Sequence, residues 1–494
     1  MTKISKKIVI AVAMLTLLVM IFAGCADTYK WGPIAGGDKD AVVENNGGLA
    51  VKQGEYIYYI NGRTATSDIT KKEDNTFGKV TKGAIMRGKL DDKGNVKDPV
   101  IVVPLMSLSS NKEGGIFVFG GYIYYTTPSI ATDREGALQT GFLDYMRTSI
   151  DGSKTEKIAT VEGASTVYKF ASDALIYYKD NKITRIPYDD NSIGKEETVA
   201  EDVTGVVFPQ NKTYDPKNTP IDDVIFYTKA SEDEEATYNV TYVVSTKSGS
   251  EAKEIINGST YTDSNDKKAQ FTISLKQAIA VSNGIELYYE KACSANTENP
   301  AGLHGALYSD GKLAVDKEKR FTDKTYSTVL PISLEDGVYV VDSNKLYKMM
   351  EKKNADGTLS FFDRDAVIDF GASVNVVKFV DYSFDNGAAV PSVVYIKDSV
   401  MEVRALDDSL DYNTKIVNSV KVDTTWLMPE VIDGKIYFFN SDYYTYVDVI
   451  DLVSGEMYLT KDENDRDVHP LANLSVKDSK TEQDKIKAEE EDKK

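Results

Sequence analysis

Histidine, cysteine and tryptophan are scarce in these 494 residues, at two each. With His304 and His469 as the whole histidine supply, an ordinary His/Cys zinc site is disfavoured and a serine nucleophile has no ready base. Gly-x-Ser-x-Gly elbows and phosphate-binding glycine motifs are missing, and Gly114-Gly115 and Gly120-Gly121 flank a strand and read as turns. Two oxygen-rich clusters, Asp462/Asn464/Asp465/Asp467 and Asp407/Asp408/Asp411, lack the glycine and distal glutamate of an EF-hand loop and read as solvated acidic turns. No metal and no cofactor is expected. Positive charge is also short: 58 Lys and Arg against 77 Asp and Glu leave a formal net charge of -19. Without a basic stripe to release counterions, nucleic acid is excluded as a partner, and docking on anionic lipid by charge is disfavoured. Long helical periodicity is lacking too, which points away from the alternating helices and strands of solute-binding lipoproteins.

The N-terminus carries Lys3, Lys6 and Lys7, then an apolar run from Ile8 to Phe22 that ends in Ala23-Gly24-Cys25. This is the pattern of an export signal, too short for a comfortable transmembrane helix. Phe22-Ala23-Gly24-Cys25 resembles a bacterial lipobox, and the resemblance implies cleavage before Cys25 and lipidation of its thiol. An uncleaved anchor or a conventional signal with a chance cysteine are the alternatives. Removing the three lysines with the leader takes the net charge from -19 to -22. Cys293 is then the one remaining thiol, so no internal disulfide is available, and a catalytic Cys293–His304 pair is less expected than a structural cysteine.

What is abundant is tyrosine, at 31 residues, a residue suited to half-buried pleated surfaces. A short aromatic strand, first seen as Tyr56-Ile57-Tyr58-Tyr59, recurs eight times, centred on Tyr58, Tyr124, Tyr177, Phe226, Tyr288, Tyr339, Tyr395 and Tyr437. The gaps run from 42 to 66 residues, a spacing that signals a repeat architecture. Many copies follow a Gly or Asx turn and lead into a second strand, as in Tyr145-Met146-Arg147-Thr148-Ser149-Ile150 before Asp151-Gly152. Each unit reads as an antiparallel meander that cannot bury both faces alone, whereas a radial array can. The expected fold is therefore an all-β propeller, with eight blades favoured over seven.

The unit of Tyr-Ile-Tyr-Tyr, an Arg-bearing strand and Asp-Gly resembles the repeats of the DUF5050 family, propeller-like domains of exported bacterial proteins related in style to low-density-lipoprotein-receptor and TolB-type propellers. The resemblance covers roughly residues 49–460 and implies the propeller, with no catalytic residues to transfer. The expected organisation is a signal peptide at 1–24, a polar tether at 25–48, the propeller at 49–462 and a charged solvated tail at 463–494. The protein is expected at the outer face of the bacterial cytoplasmic membrane, held by lipid at Cys25, as a monomeric binding or scaffold module for an envelope protein or glycan. Tyr443, Tyr444 and Tyr446 are the candidate binding surface, since three tyrosines in four residues cannot all face one side of a strand. The alternative is a propeller glycoside hydrolase or lyase, working through a carboxylate pair on the central channel.

Overall fold

The computed structural model describes residues 36–468 except 62–82, 92–95, 104, 107–113, 130, 133, 136–140, 164–165, 219–222, 232–237, 263–267, 293–300, 325, 327, 363–366, 385–386, 407–413, 425–426, 441–445, 456–459 and 462–466. These residues form a β-propeller made almost wholly of antiparallel strands. Each of the eight aromatic strands lies in its own sheet. Seven sheets are full blades at least four strands wide, at 50–103, 117–162, 167–200, 203–257, 259–320, 328–369 and 374–419 (blades 1 to 7). The eighth, at 422–451, is narrower, because Val422–Asp423 and Glu430–Ile432 share one edge of Lys435–Asn440 while Tyr446–Asp451 takes the other. The propeller thus has seven full blades and not the eight favoured from sequence, because the eighth repeat lacks a fourth strand position, and we call its sheet the closing sheet.

The reason for the ring is visible in the aromatic strand itself. Successive side chains point to opposite faces, and here both faces are apolar, the signature of a strand buried on both sides. In blade 2, Ile123 and Tyr125 enter a core shared with blade 1, while Tyr124 enters the core shared with blade 3. The same sharing continues through blades 3–4, 4–5, 5–6, 6–7 and 7 to the closing sheet, whose Tyr437 and Phe439 return to the core of blade 1. All eight central aromatics are at most 8% exposed. Burying each ring contributes about 1.5–3 kcal/mol, so the repeated motif holds the blades together and presents no surface.

Turn chemistry matches the strands it joins. Asp180-Asn181 and Asp398-Ser399 have positive φ at both positions, 50° and 59°, then 50° and 63°, the backbone of a two-residue hairpin whose twist suits the flanking strands. The arginine of the repeat also finds a structural use. Arg87 donates to the Ile150 carbonyl at 2.8 Å, Arg147 to that of Asp189, and Arg185 to that of Thr246 at 3.1 Å. Each acceptor lies just after the third strand of the next blade, so one guanidinium per blade pins the first three blades to their successors.

The propeller begins earlier than the strand pattern indicates. Residues 38–48, expected within the tether, pack into blade 1: Val43–Glu44 pairs with Lys52 and Gln53, and Val43 is fully buried. Asn45 donates to the Ala50 carbonyl at 2.7 Å, and Asn46 exchanges two hydrogen bonds with the Val118 backbone of blade 2. Polar side chains satisfying backbone groups make this segment look like linker in sequence while fixing it in space. Past the expected propeller end, Asp467–Val468 pairs with Thr460–Lys461 in a small hairpin. The leader with Cys25, and the rest of the C-terminal tail, lie outside the described residues.

Candidate functional site

One loop of blade 4 reaches blades 1, 2, 3 and 5. It leaves blade 4 after Val203–Val207 and returns at Val224–Ala230, and its residues 208–215 form a strap. The strap is tied at many points. Gln210 N donates to the Ala278 carbonyl at 2.8 Å and its own carbonyl accepts from Ala280 N, both in blade 5. Lys169 Nζ of blade 3 donates to the Pro209 carbonyl at 2.9 Å. Thr213–Tyr214 adds a strand to Val43–Glu44, extending the sheet of blade 1 inward. Tyr214 sets its ring edge-on to Phe119 of blade 2, centroids 5.0 Å apart.

Beside the strap lies a cavity of about 260 Å³. One wall is aromatic, from Phe117, Phe119, Phe170 and Tyr214. The charged groups are unbalanced: Lys169, Lys212 and Lys378 against one carboxylate, Glu430. Lys212 Nζ bridges both Glu430 oxygens at 2.9 and 2.7 Å, which leaves an excess of two positive charges in a chain of net charge -19. Lys378 differs from its companions. Among the described residues its ammonium makes no hydrogen bond or ion pair, although it is half-buried. Burial pushes its pKa below the ordinary lysine value of 10.5, with Glu430 pulling the other way and Lys212 adding to the depression. Tyr214 is pushed up, by burial first and then by Asp190 and Asp215.

The residues singled out from sequence lie elsewhere. Tyr443 and Tyr444 fall outside the described residues, as do Cys25, Cys293, His469, Asp462, Asn464, Asp465 and the 407–411 acidic cluster. Tyr446 begins the outer strand of the closing sheet, opposite Asn440. His304 sits in blade 5, buried, with its Nδ1 against Glu318 and its ring stacked on Tyr289 at 6.2 Å, away from the cavity. Among the described residues no group of three His, Cys, Asp or Glu is placed to hold a metal ion.

Sequence reading missed the cavity lysines, but one signal was available. Elsewhere a tight turn leads into the aromatic strand, as at Gly120-Gly121 or Ser282-Asn283-Gly284, whereas Phe226 is preceded by a long polar stretch containing Asn211-Lys212-Thr213-Tyr214-Asp215-Pro216. An over-long loop where its counterparts are two to five residues is where a repeat protein departs from packing.

No protein-family model and no curated protein sequence matches the chain, so the repeat resemblance stands on the residues quoted for it. Solved structures are similar in fold. A prolyl endopeptidase aligns at 12% identity over 72% of this chain and 52% of its own length, with a TM-score of 0.38. TolB from Acinetobacter baumannii aligns at 11% identity over 69% of this chain and 64% of that one, TM-score 0.29. The β-propeller domain of the trilobed protease from Pyrococcus furiosus aligns at 9% over 67% and 96%, TM-score 0.26. The chain thus spans about half the length of the first of these, and the likenesses reach no further than the propeller that the sheets themselves display.

Proposed function

We propose that the chain is a binding protein of the bacterial envelope, exported and held by lipid at Cys25, that engages a glycan or protein partner through its propeller. The observation that carries this reading is the composition of the central cavity. Acid–base hydrolysis of a glycosidic bond calls for two carboxyl groups roughly 5–9.5 Å apart, one of them protonated. Among the described residues lining the cavity Glu430 is the one carboxylate, and Lys212 already engages it. Amines beside aromatic rings are suited to holding a ligand, and they do not supply the carboxyl pair of a glycoside hydrolase.

Membership of the DUF5050-type propellers belongs to the same proposal, supported by the aromatic strand, the arginine clamp and the Asp-Gly turn. Two measurements test the reading. Cys25→Ser is expected to move the protein from the membrane fraction to the soluble one and to abolish incorporation of labelled fatty acid; unchanged fractionation and labelling would sink the anchor. For the binding role, the purified chain is expected to retain envelope glycans on an array, or to crosslink reproducibly to one envelope protein in intact cells. Hydrolysis of envelope polysaccharide by the purified chain, with no retained ligand, would instead favour the glycoside hydrolase or lyase.

A further inference from the structure

The central cavity narrows the ligand class, in an argument that rests on the binding role above. We infer that it takes a small ring-bearing carboxylate, with the carboxylate paired to Lys378 and the ring laid on the aromatic wall of Phe117, Phe119 and Tyr214. Three features converge. First, two of the three amines have partners, Lys169 on the Pro209 carbonyl and Lys212 on Glu430, while Lys378 has none among the described residues. Holding a half-buried ammonium with no direct partner, near a carboxylate that Lys212 already engages, is costly, and a ligand anion offsets that cost when it binds. Second, the excess of positive charge is local and set in an acidic protein, so it focuses anions on this one spot. Third, the volume of about 260 Å³ admits one ring with its substituents and not a chain of several.

Carboxylate is favoured over phosphate by the backbone. Phosphate sites are typically lined by free amides at a glycine-rich loop or helix N-terminus. Here three backbone amides at the strap are already used: Asn46 N on the Lys212 carbonyl at 2.9 Å, Gly47 N on that of Ile116 at 2.7 Å, and Gln210 N on that of Ala278. The site therefore offers point charges and ring faces. Acidic sugars and aromatic acids share the required chemistry, and the test separates them.

The test is calorimetric titration of the purified full-length chain at low salt with glucuronate, galacturonate, benzoate, glucose 6-phosphate and glucose. At least one carboxylate is expected to bind about tenfold or more tighter than glucose, a difference of about 1.4 kcal/mol, and to weaken as salt is raised. Lys378→Met is expected to lose that tenfold, and Lys378→Arg to keep most of it, while the melting temperature of K378M stays level or rises. Uronates ahead of benzoate identify an acidic sugar, and the reverse an aromatic acid. Carboxylates no better than glucose, glucose 6-phosphate ahead of every carboxylate, or undiminished binding by K378M would each overturn the inference. Array binding of envelope glycans that persists in K378M keeps the wider binding role and removes this cavity from it. Carboxylate binding with no macromolecular partner does the opposite.

Discussion

Two cations of this propeller, one buried and one half-buried, have opposite surroundings. Arg147, at the seam between blades 2 and 3, is fully enclosed and held from both blades: Nε donates to Glu156 at 3.0 Å, Nη1 to the Asp189 carbonyl, Nη2 lies in ion-pair range of Glu156, and the guanidinium is 4.6 Å from the ring centroid of Tyr122. Lys378, in the central cavity, has no such partners among the described residues, and burial depresses its pKa. Around Arg147 the chain supplies acceptors from both blades; around Lys378 it supplies aromatic rings, two further lysines and one carboxylate, Glu430, that Lys212 already engages. A cation held by acceptors of two blades belongs to the architecture, and one with no direct partner is available to a ligand.

Breaking the seam has the largest expected effect. Tyr145 is fully buried there, its ring edge-on to Tyr168 with centroids 4.9 Å apart and 6.0 Å from that of Phe170. Tyr145→Ala is expected to cost about 3–5 kcal/mol, measured by chemical denaturation, since the ring leaves a cavity between blades that cannot collapse. Arg147→Ala follows at about 2–3 kcal/mol, because the Asp189 carbonyl loses a charged donor while Glu156, partly exposed, regains water. A loss under about 0.5 kcal/mol would show that the clamp is ornamental.

The cavity predicts the reverse sign. Lys378→Met is expected to leave stability unchanged or raise it by about 1 kcal/mol at neutral pH, because an unpaired buried charge is removed. The gain should depend on pH. A lysine with a depressed folded pKa carries its penalty in full below that pKa and sheds it as pH rises toward the unfolded value of 10.5. The advantage of K378M over the parent should therefore shrink as pH approaches 10.5, and a pH-independent difference would point to packing alone. Lys169, Lys212 and Glu430 face the same space. The smallest effect is expected from Tyr145→Phe. The Tyr145 hydroxyl is buried with no hydrogen-bond partner among the described residues, so removing it is expected to be neutral or stabilising by up to about 1 kcal/mol, seen as an unchanged or higher melting temperature.

How much of this could be read from the residues follows from what repeats. The aromatic strands were legible because burial on both faces imposes the same apolar run eight times, and the sheets carry them in the order the spacing indicates. The closing sheet was legible as a repeat but not as a narrower one, since Val422–Asp423 and Glu430–Ile432 each read as separate short strands until they are seen to share an edge. The arginine of the repeat was visible without its purpose, because its acceptors are carbonyls of the following blade, which carry no sequence signature. Residues 38–48 were misread because Asn45 and Asn46 do the work of a strand edge with side chains typical of a tether. The cavity was out of reach for a different reason: Lys169, Lys212, Lys378 and Glu430 come from four parts of the chain, and only ring closure brings them together.

The strap also bears on the order in which the molecule can be completed. In an ordinary repeat array each unit consults only its neighbours, so assembly proceeds locally from wherever it starts. Here the innermost edge of blade 1 is a two-residue strand whose partner arrives late: Val43 pairs with Tyr214 and Glu44 with Thr213. A nascent chain emerging from its N-terminus must therefore carry an unfinished first blade until the loop of blade 4 is made, and the earliest segment becomes one of the last to settle. Loop closure over that distance slows folding while adding contacts that a purely neighbour-to-neighbour ring lacks. The same spoke then couples opposite sides of the wheel, so the blades should melt as one body, and cutting the chain within 208–215 should split that single transition in two.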